Sequence, residues 1–158
     1  MLIGQGFDAH RFAAPDTHRP LWLAGLLWDG NGIEGDSDGD VAAHALIDAL
    51  LAASGLGDIG SLFGVGATAH GAGMHGVDML RETIEYLAAR GFVPVSASVA
   101  IIGNRPKIGT RRDEAARVLS EAIGCQVSLT ATTTDHMGFT GRGEGIAAIA
   151  NALIERRS

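Results

Sequence analysis

Hydrophobic and polar positions along the chain repeat with two different periods, and the changes of period delimit the elements. Leu2 to His10 has strand character, with polar residues gathering at its end. Leu21 to Leu27 is a second apolar run, predicted to be a strand paired with the first. Asp29-Gly30-Asn31-Gly32 has the composition of a turn. Val41 to Ala53 is predicted to be a helix: Ser37 or Asp38 is a suitable N-cap, Asp40 suits the first turn, and Gly55 stops it. Residues 55–76 read as a long loop. Val77 to Ala89 carries Met79, Leu80, Ile84, Leu87 and Ala88 at helical spacing, with Gly91 behind it. Phe92 to Ile102 is predicted to be a strand, Gly103 to Lys107 a turn, and Arg111 to Ile123 a helix ended by Gly124. In Val127 to Thr134 the apolar Val127, Leu129 and Ala131 alternate with polar residues, which predicts a strand. Ile146 to Ile154 fits two elements. Its alanines favour helix, whereas Ile146, Ala148, Ala150 and Ala152 share one face of a strand. No repeat or linker interrupts this order. It predicts an α+β fold, one compact domain over residues 1–158, with a small mixed sheet and helices packed on it.

Composition narrows the function. Of 158 residues 46% are hydrophobic and 19% charged, which supports a real core and argues against disorder. A net charge of −6 without a basic cluster argues against nucleic acid as a partner. A lone cysteine, Cys125, forms no intrachain disulfide and suits a reducing compartment, so a cytoplasmic protein is expected. No apolar stretch reaches the ~18 residues of a membrane span, and no secretory signal opens the chain. The 23 glycines cluster at 30–39, 55–76 and 138–145, where they serve either tight turns or close approach of backbone N–H groups to a ligand.

Candidate chemistry begins with Asp8-x-His10. Strand side chains repeat every two residues, so both project from one face and can converge on one ion. His44 lies on the predicted helix among alanines and leucines. Alone, such a histidine is more commonly a hydrogen-bonded core residue; with Asp8 and His10 it completes a two-nitrogen, one-oxygen set that suits catalytic zinc with one position open. Asp40 and Asp48, four residues to either side of His44, could orient its imidazole. His18, His70 and His75 read as solvated loop residues, and His136 receives no role.

Taken together, the motifs are more specific than any one of them. Gly6-Phe7-Asp8-x-His10 is followed by Ser37-Asp38-Gly39-Asp40-Val41-x-x-His44-Ala45-Leu46-x-Asp48-Ala49-Leu50 and by Gly57-Asp58-Ile59-Gly60. Then come Pro106-Lys107, Ala131-Thr132-Thr133-Thr134-Asp135 and Gly138-Phe139-Thr140-Gly141-Arg142-Gly143-Glu144-Gly145. Over essentially its whole length the chain resembles the 2-C-methyl-D-erythritol 2,4-cyclodiphosphate synthases of the non-mevalonate isoprenoid pathway. The resemblance implies a homotrimer with active sites between neighbouring subunits, zinc on Asp8, His10 and His44, and a second divalent cation, magnesium or manganese, on Asp135, where the family usually has glutamate. It implies substrate contacts from Ser37, Asp58 and Gly60, and a cytosine-reading loop over Gly103, Asn104, Arg105, Pro106, Lys107, Ile108 and Gly109. Thr132, Thr133 and Thr134 would lie at the cytidine diphosphate, with Thr133 supporting the transition state. Phe139 and Arg142 match later substrate contacts. Phe7 and Arg142 match a central trimer cavity able to hold an isoprenoid diphosphate.

Two departures bear on activity. The family motif His-Ser-Asp-Gly-Asp reads Asp36-Ser37-Asp38-Gly39-Asp40 here, and an ionised carboxylate beside a diphosphate repels it. After Phe63 the family's aspartates and proline give way to Gly64-Val65-Gly66-Ala67-Thr68-Ala69-His70. Besides the cyclising enzyme, two alternatives stay open: a zinc-dependent phosphoester hydrolase, and a trimer that binds zinc and cytidine nucleotide but is impaired by Asp36.

Overall fold

The computed structural model describes residues 1–157. In chain order, strand β1 (Leu2–Arg11) is followed by β2 (Leu21–Leu23), β3 (Leu26–Trp28) and helices α1 (Val41–Ser54), α2 (Ile59–Phe63) and α3 (Gly76–Ala88). Strand β4 (Phe92–Ile102), helix α4 (Arg112–Ile123), β5 (Gln126–Thr132), the short α5 (Gly138–Gly141) and β6 (Gly145–Arg156) complete it. The main sheet has the order β1-β6-β4-β5, with β4 and β5 parallel and the other pairs antiparallel. This is the mixed sheet with helices that the sequence predicts.

The segment that fitted two elements is strand β6. Its Ile146, Ala148, Ala150, Ala152 and Ile154 are all buried, on the face of the sheet covered by α1. Small side chains there let the helix lie close. On β1 the approach is closer still: a Cβ on Gly6 would stand 2.0 Å from the Ala45 carbonyl oxygen, and one on Gly4 2.1 Å from that of Ala49. Helix α1 is buried almost all round, as its largely apolar composition requires.

Leu21 to Leu27 does not pair with β1. Ala24 (φ 51°) and Gly25 (φ 76°) both take left-handed backbone, so the run folds on itself as a hairpin in which Leu21 faces Trp28. Two consecutive positive φ values are what a two-residue hairpin turn demands. The N-cap of α1 is Asp40, not Ser37 or Asp38. Its carboxylate accepts the N–H groups of Ala42 and Ala43 and those of Ala24 and Gly25, so one buried side chain joins the hairpin turn to the helix. The long loop contains α2, closed by a capping box between Asp58 and Ser61. Strand β5 ends at Thr132, leaving Thr133 and Thr134 beyond the ladder.

Among the described residues, no helix covers the opposite face of the sheet. Ile3, Phe7 and Ile149 are exposed there, and Phe7 and Ile149 are register partners.

Candidate metal centre and its flanking pockets

Asp8 and His10 project from β1 towards α1, and His44 meets them from the helix. One Asp8 carboxylate oxygen lies 3.1 Å from His10 Nε2 and 3.2 Å from His44 Nδ1. All three ligand atoms fall within 4.8 Å of one another. A tetrahedral ion with bonds of ~2.0–2.1 Å separates its ligand atoms by ~3.3 Å, so the donor set fits such an ion by spacing and by chemistry. Among the described residues it is the one His/Cys/Asp/Glu cluster with this convergence.

The surroundings fix the imidazole of His44. Its Nε2 is 3.0 Å from Ser37 Oγ and 4.0 Å from an Asp38 carboxylate oxygen. Arg19 in turn donates to the carbonyls of Ser37 and Gly35, and Asp38 accepts the N–H groups of Asp40 and Gly76. The hydrogen bond on this side of the ring therefore comes from Ser37, and Asp38, Asp40 and Asp48 are all engaged by backbone N–H groups. Asp40 is occupied as the cap, and Asp48 accepts the Ile59 N–H at 2.8 Å. Sequence spacing placed Asp40 and Asp48 on the helix face of His44 but could not show that backbone donors claim both.

Electrostatics follow the contacts. Burial works to raise the Asp8 carboxyl, but the hydrogen bonds and charges of His10 and His44 prevail and lower it to about 2. Burial opposes charge on His44, while Asp8, Asp40 and Asp38 favour it and raise its pKa overall. Burial, aided by Asp8 and Asp58, raises Asp48 against the pull of the Ile59 N–H. Burial alone raises the Cys125 thiol, which suits an unreactive packing residue.

The triad opens into a pocket of about 240 Å³, with Ser37 and Asp36 on one side and Gly60, Phe63, Val65 and Ala69 on the other. His70 and His75 are exposed, as expected, yet both have partners. His70 pairs with Glu82 at 2.7 Å and stacks on Phe63, and His75 packs against Trp22.

A second pocket, of about 360 Å³, is bounded by Gly103, Asn104, Pro106 to Gly109 and Ala131 to Thr133. It shares no residue with the first. The strands explain the separation: β1 and β5 are opposite edges of the sheet. Register puts His10 beside Ile146, Ala147 beside Ile102, and Ile102 beside Thr132, so both pockets lie at the same end of the sheet. Three strand spacings amount to ~14 Å. Thr134 bonds Thr140 at 2.8 Å, and Asn104 donates to the Gly141 carbonyl, which ties the loop of the second pocket to the glycine turn. Asp135 and Thr133 are exposed, and Asp135 is no member of the triad. Arg142 pairs with Glu144 at 2.9 Å. Phe139 and Arg105 meet His10 in a third cavity.

A mixed-sheet α+β domain with an Asp-His-His cluster at a pocket mouth defines a candidate metal-dependent enzyme. Comparison with known proteins makes that class specific: the YgbB family model matches residues 1–155, and the chain belongs to that family. A 2-C-methyl-D-erythritol 2,4-cyclodiphosphate synthase of Bifidobacterium longum (strain NCC 2705) is 71% identical, over 99% of this chain and 97% of the relative. One from Cutibacterium acnes is 47% identical over 97% of this chain and 90% of its own length. Among solved structures, IspF of Plasmodium falciparum in a CDP complex superposes with a TM-score of 0.84 at 26% identity, covering 99% of this chain and 97% of that one. The bifunctional IspDF of Campylobacter jejuni gives a TM-score of 0.89 at 31% identity; 98% of this chain matches, and it spans 42% of that longer protein.

Proposed function

We infer that this chain is an enzyme converting 4-diphosphocytidyl-2-C-methyl-D-erythritol 2-phosphate to 2-C-methyl-D-erythritol 2,4-cyclodiphosphate and CMP. The observation that carries the reading is the convergence of Asp8, His10 and His44 at a pocket mouth in a member of this family. The substrate 2-phosphate oxygen forms a bond to the β-phosphorus, the bond from that phosphorus to the bridging oxygen breaks, and CMP departs with that oxygen. No side-chain nucleophile is required, so catalysis consists of positioning and charge neutralisation.

Asp8, His10 and His44 would hold zinc, and Asp135 a magnesium or manganese ion. Bound there, such ions supply the positive charge that a diphosphate needs in an acidic protein. Ser37 keeps the His44 ring in place, which holds Nδ1 towards Asp8. Asp58 and Gly60 receive the ribose and sugar portion, with Asp58 exposed as the N-cap of α2. In the second pocket, backbone groups of Gly103 to Gly109 receive cytosine, and Thr132 and Thr133, with Thr134 next to them in the chain, offer hydroxyls to the diphosphate.

The metal-side pocket by itself is too small a vessel for this substrate. The metal-side pocket, at about 240 Å³, is below the ~300–1,000 Å³ of a complete small-molecule site. The two pockets lie on opposite sheet edges, so a homotrimer that sets the first pocket of one subunit against the second of its neighbour fits the reaction best. The uncovered sheet face, with exposed Ile3, Phe7 and Ile149, supplies the apolar surface for that assembly. Phe7 and Arg142 then face a shared interior that suits an isoprenoid diphosphate.

Neither water attack nor a binding-only trimer is favoured. The test is phosphorus NMR of the purified protein with substrate, zinc and magnesium, beside His44→Ala. CMP and a cyclic diphosphate are expected from the wild type. His44→Ala should lose at least about a hundredfold in zinc affinity and in turnover. A linear phosphate product, or undiminished turnover in His44→Ala, would overturn the assignment.

A further inference from the structure

Asp36 stands where an acid is least expected, at the rim of a pocket meant for phosphates, and the structure gives it another partner. One of its carboxylate oxygens accepts the Gly66 N–H at 2.8 Å, and its own carbonyl accepts the Gly73 N–H, also at 2.8 Å. Gly66 and Gly73 lie towards the two ends of the segment between α2 and α3. A single residue therefore ties both ends. Gly66 has a φ of 99°, which favours glycine and turns its N–H to the carboxylate.

The tied segment forms a wall of the metal-side pocket. Gly64, Val65, Ala69, Gly71 and Ala72 line it opposite Asp8, His10 and His44. Inside the segment, short bonds keep it compact: Ala69 N–H to the Gly66 carbonyl, Ala72 N–H to that of Ala69, and Gly71 N–H to that of Phe63. On the outer side, His70 stacks on Phe63 with rings 4° from parallel and pairs with Glu82 on α3. Near the pocket rim, where Val65 and Gly66 lie, the Asp36 bond is the one side-chain anchor that the hydrogen bonds among the described residues provide.

We propose that Asp36 is a positioning residue that holds the 64–73 segment as a fixed wall of the substrate pocket, acting through the Gly66 N–H and not on phosphate. The proposal rests on the functional reading above for what the pocket binds. It follows that the acceptor oxygen at position 36 matters and the negative charge does not. Asparagine retains the acceptor without the charge, and alanine lacks both.

The experiment compares the wild type with Asp36→Ala and Asp36→Asn by amide hydrogen exchange, zinc titration and steady-state kinetics with the cytidine diphosphate substrate. Exchange over residues 64–73 should quicken about tenfold in Asp36→Ala, the loss expected for one hydrogen bond, ~1.4 kcal/mol. In Asp36→Asn it should stay within about twofold. KM should rise about tenfold in Asp36→Ala with kcat changed less than about threefold, Asp36→Asn should restore KM, and zinc affinity should be equal in all three. Unchanged exchange in Asp36→Ala, or an Asp36→Asn as defective as Asp36→Ala, overturns the proposal. A wild type without turnover, whose segment still loosens in Asp36→Ala and not in Asp36→Asn, refutes the functional reading and leaves the anchoring intact. Turnover with no difference in exchange does the reverse.

Discussion

Among single residues, the aspartates show how context divides one side chain into several roles. Asp8 is held low by two histidines and is ready to bind a cation, Asp40 is a buried cap with four N–H donors, and Asp36 grips a loop. Asp48 differs, because burial and the charges of Asp8 and Asp58 raise its pKa. A carboxyl with a raised folded pKa binds more protons folded than unfolded between the two values. Its contribution to stability is therefore complete below the ordinary carboxylate range and is lost as pH rises through the raised value. Asp48→Asn keeps an acceptor for the Ile59 N–H and removes the charge. Its denaturation midpoint in urea should exceed that of the wild type at pH 7 and converge on it near pH 3.5. Equal midpoints at pH 7 would show that the Asp48 charge carries no penalty.

At the level of elements, the closeness of β1 and α1 makes the site. Asp8 and His10 reach His44 only because Gly4 and Gly6, on the same strand face, let the helix backbone almost touch the strand. Gly6→Ala would place a methyl group 2.0 Å from a backbone oxygen that cannot rotate away. A destabilisation of about 3 kcal/mol is expected, as for severe overpacking, together with weaker zinc binding as the helix withdraws. Thermal unfolding and metal titration measure the two effects. The strand spacing of Asp8-x-His10 was legible in the sequence, as was the helix bearing His44. Their meeting was not, since the glycines that permit it look like any strand glycine. The hairpin was missed because Ala24 disguises the first half of a two-residue turn that usually carries asparagine or glycine.

On the scale of the whole molecule, the sheet separates two pockets and leaves a face bare. If each active site draws its metal side from one subunit and its cytidine side from the next, two differently damaged subunits should complement each other. His44→Ala lacks the first half; Ala131→Trp fills the second pocket, which Ala131 lines. Each alone should be inactive. In trimers reassembled from equal amounts, about one site in four joins an intact triad to an intact cytidine pocket. Activity of the mixture near one quarter of wild type is the expected outcome, and none in verified mixed trimers would place each site within one chain.

The sequence by itself determined β1, α1, α3, β4, α4 and β5, the α+β class, the paired ligand spacing on β1 and the family, because period, turn residues and short motifs are local or read in linear order. Only the tertiary structure decided that Leu21 to Leu27 folds on itself, that β6 is a strand, that Ser37 orients His44, and that Asp36 binds Gly66. Each of these depends on which backbone donors and apolar faces lie across from a residue in space. The N–H groups of Ala24, Gly25 and Gly66 look the same in a linear chain as any others, and folding alone brings an aspartate to them.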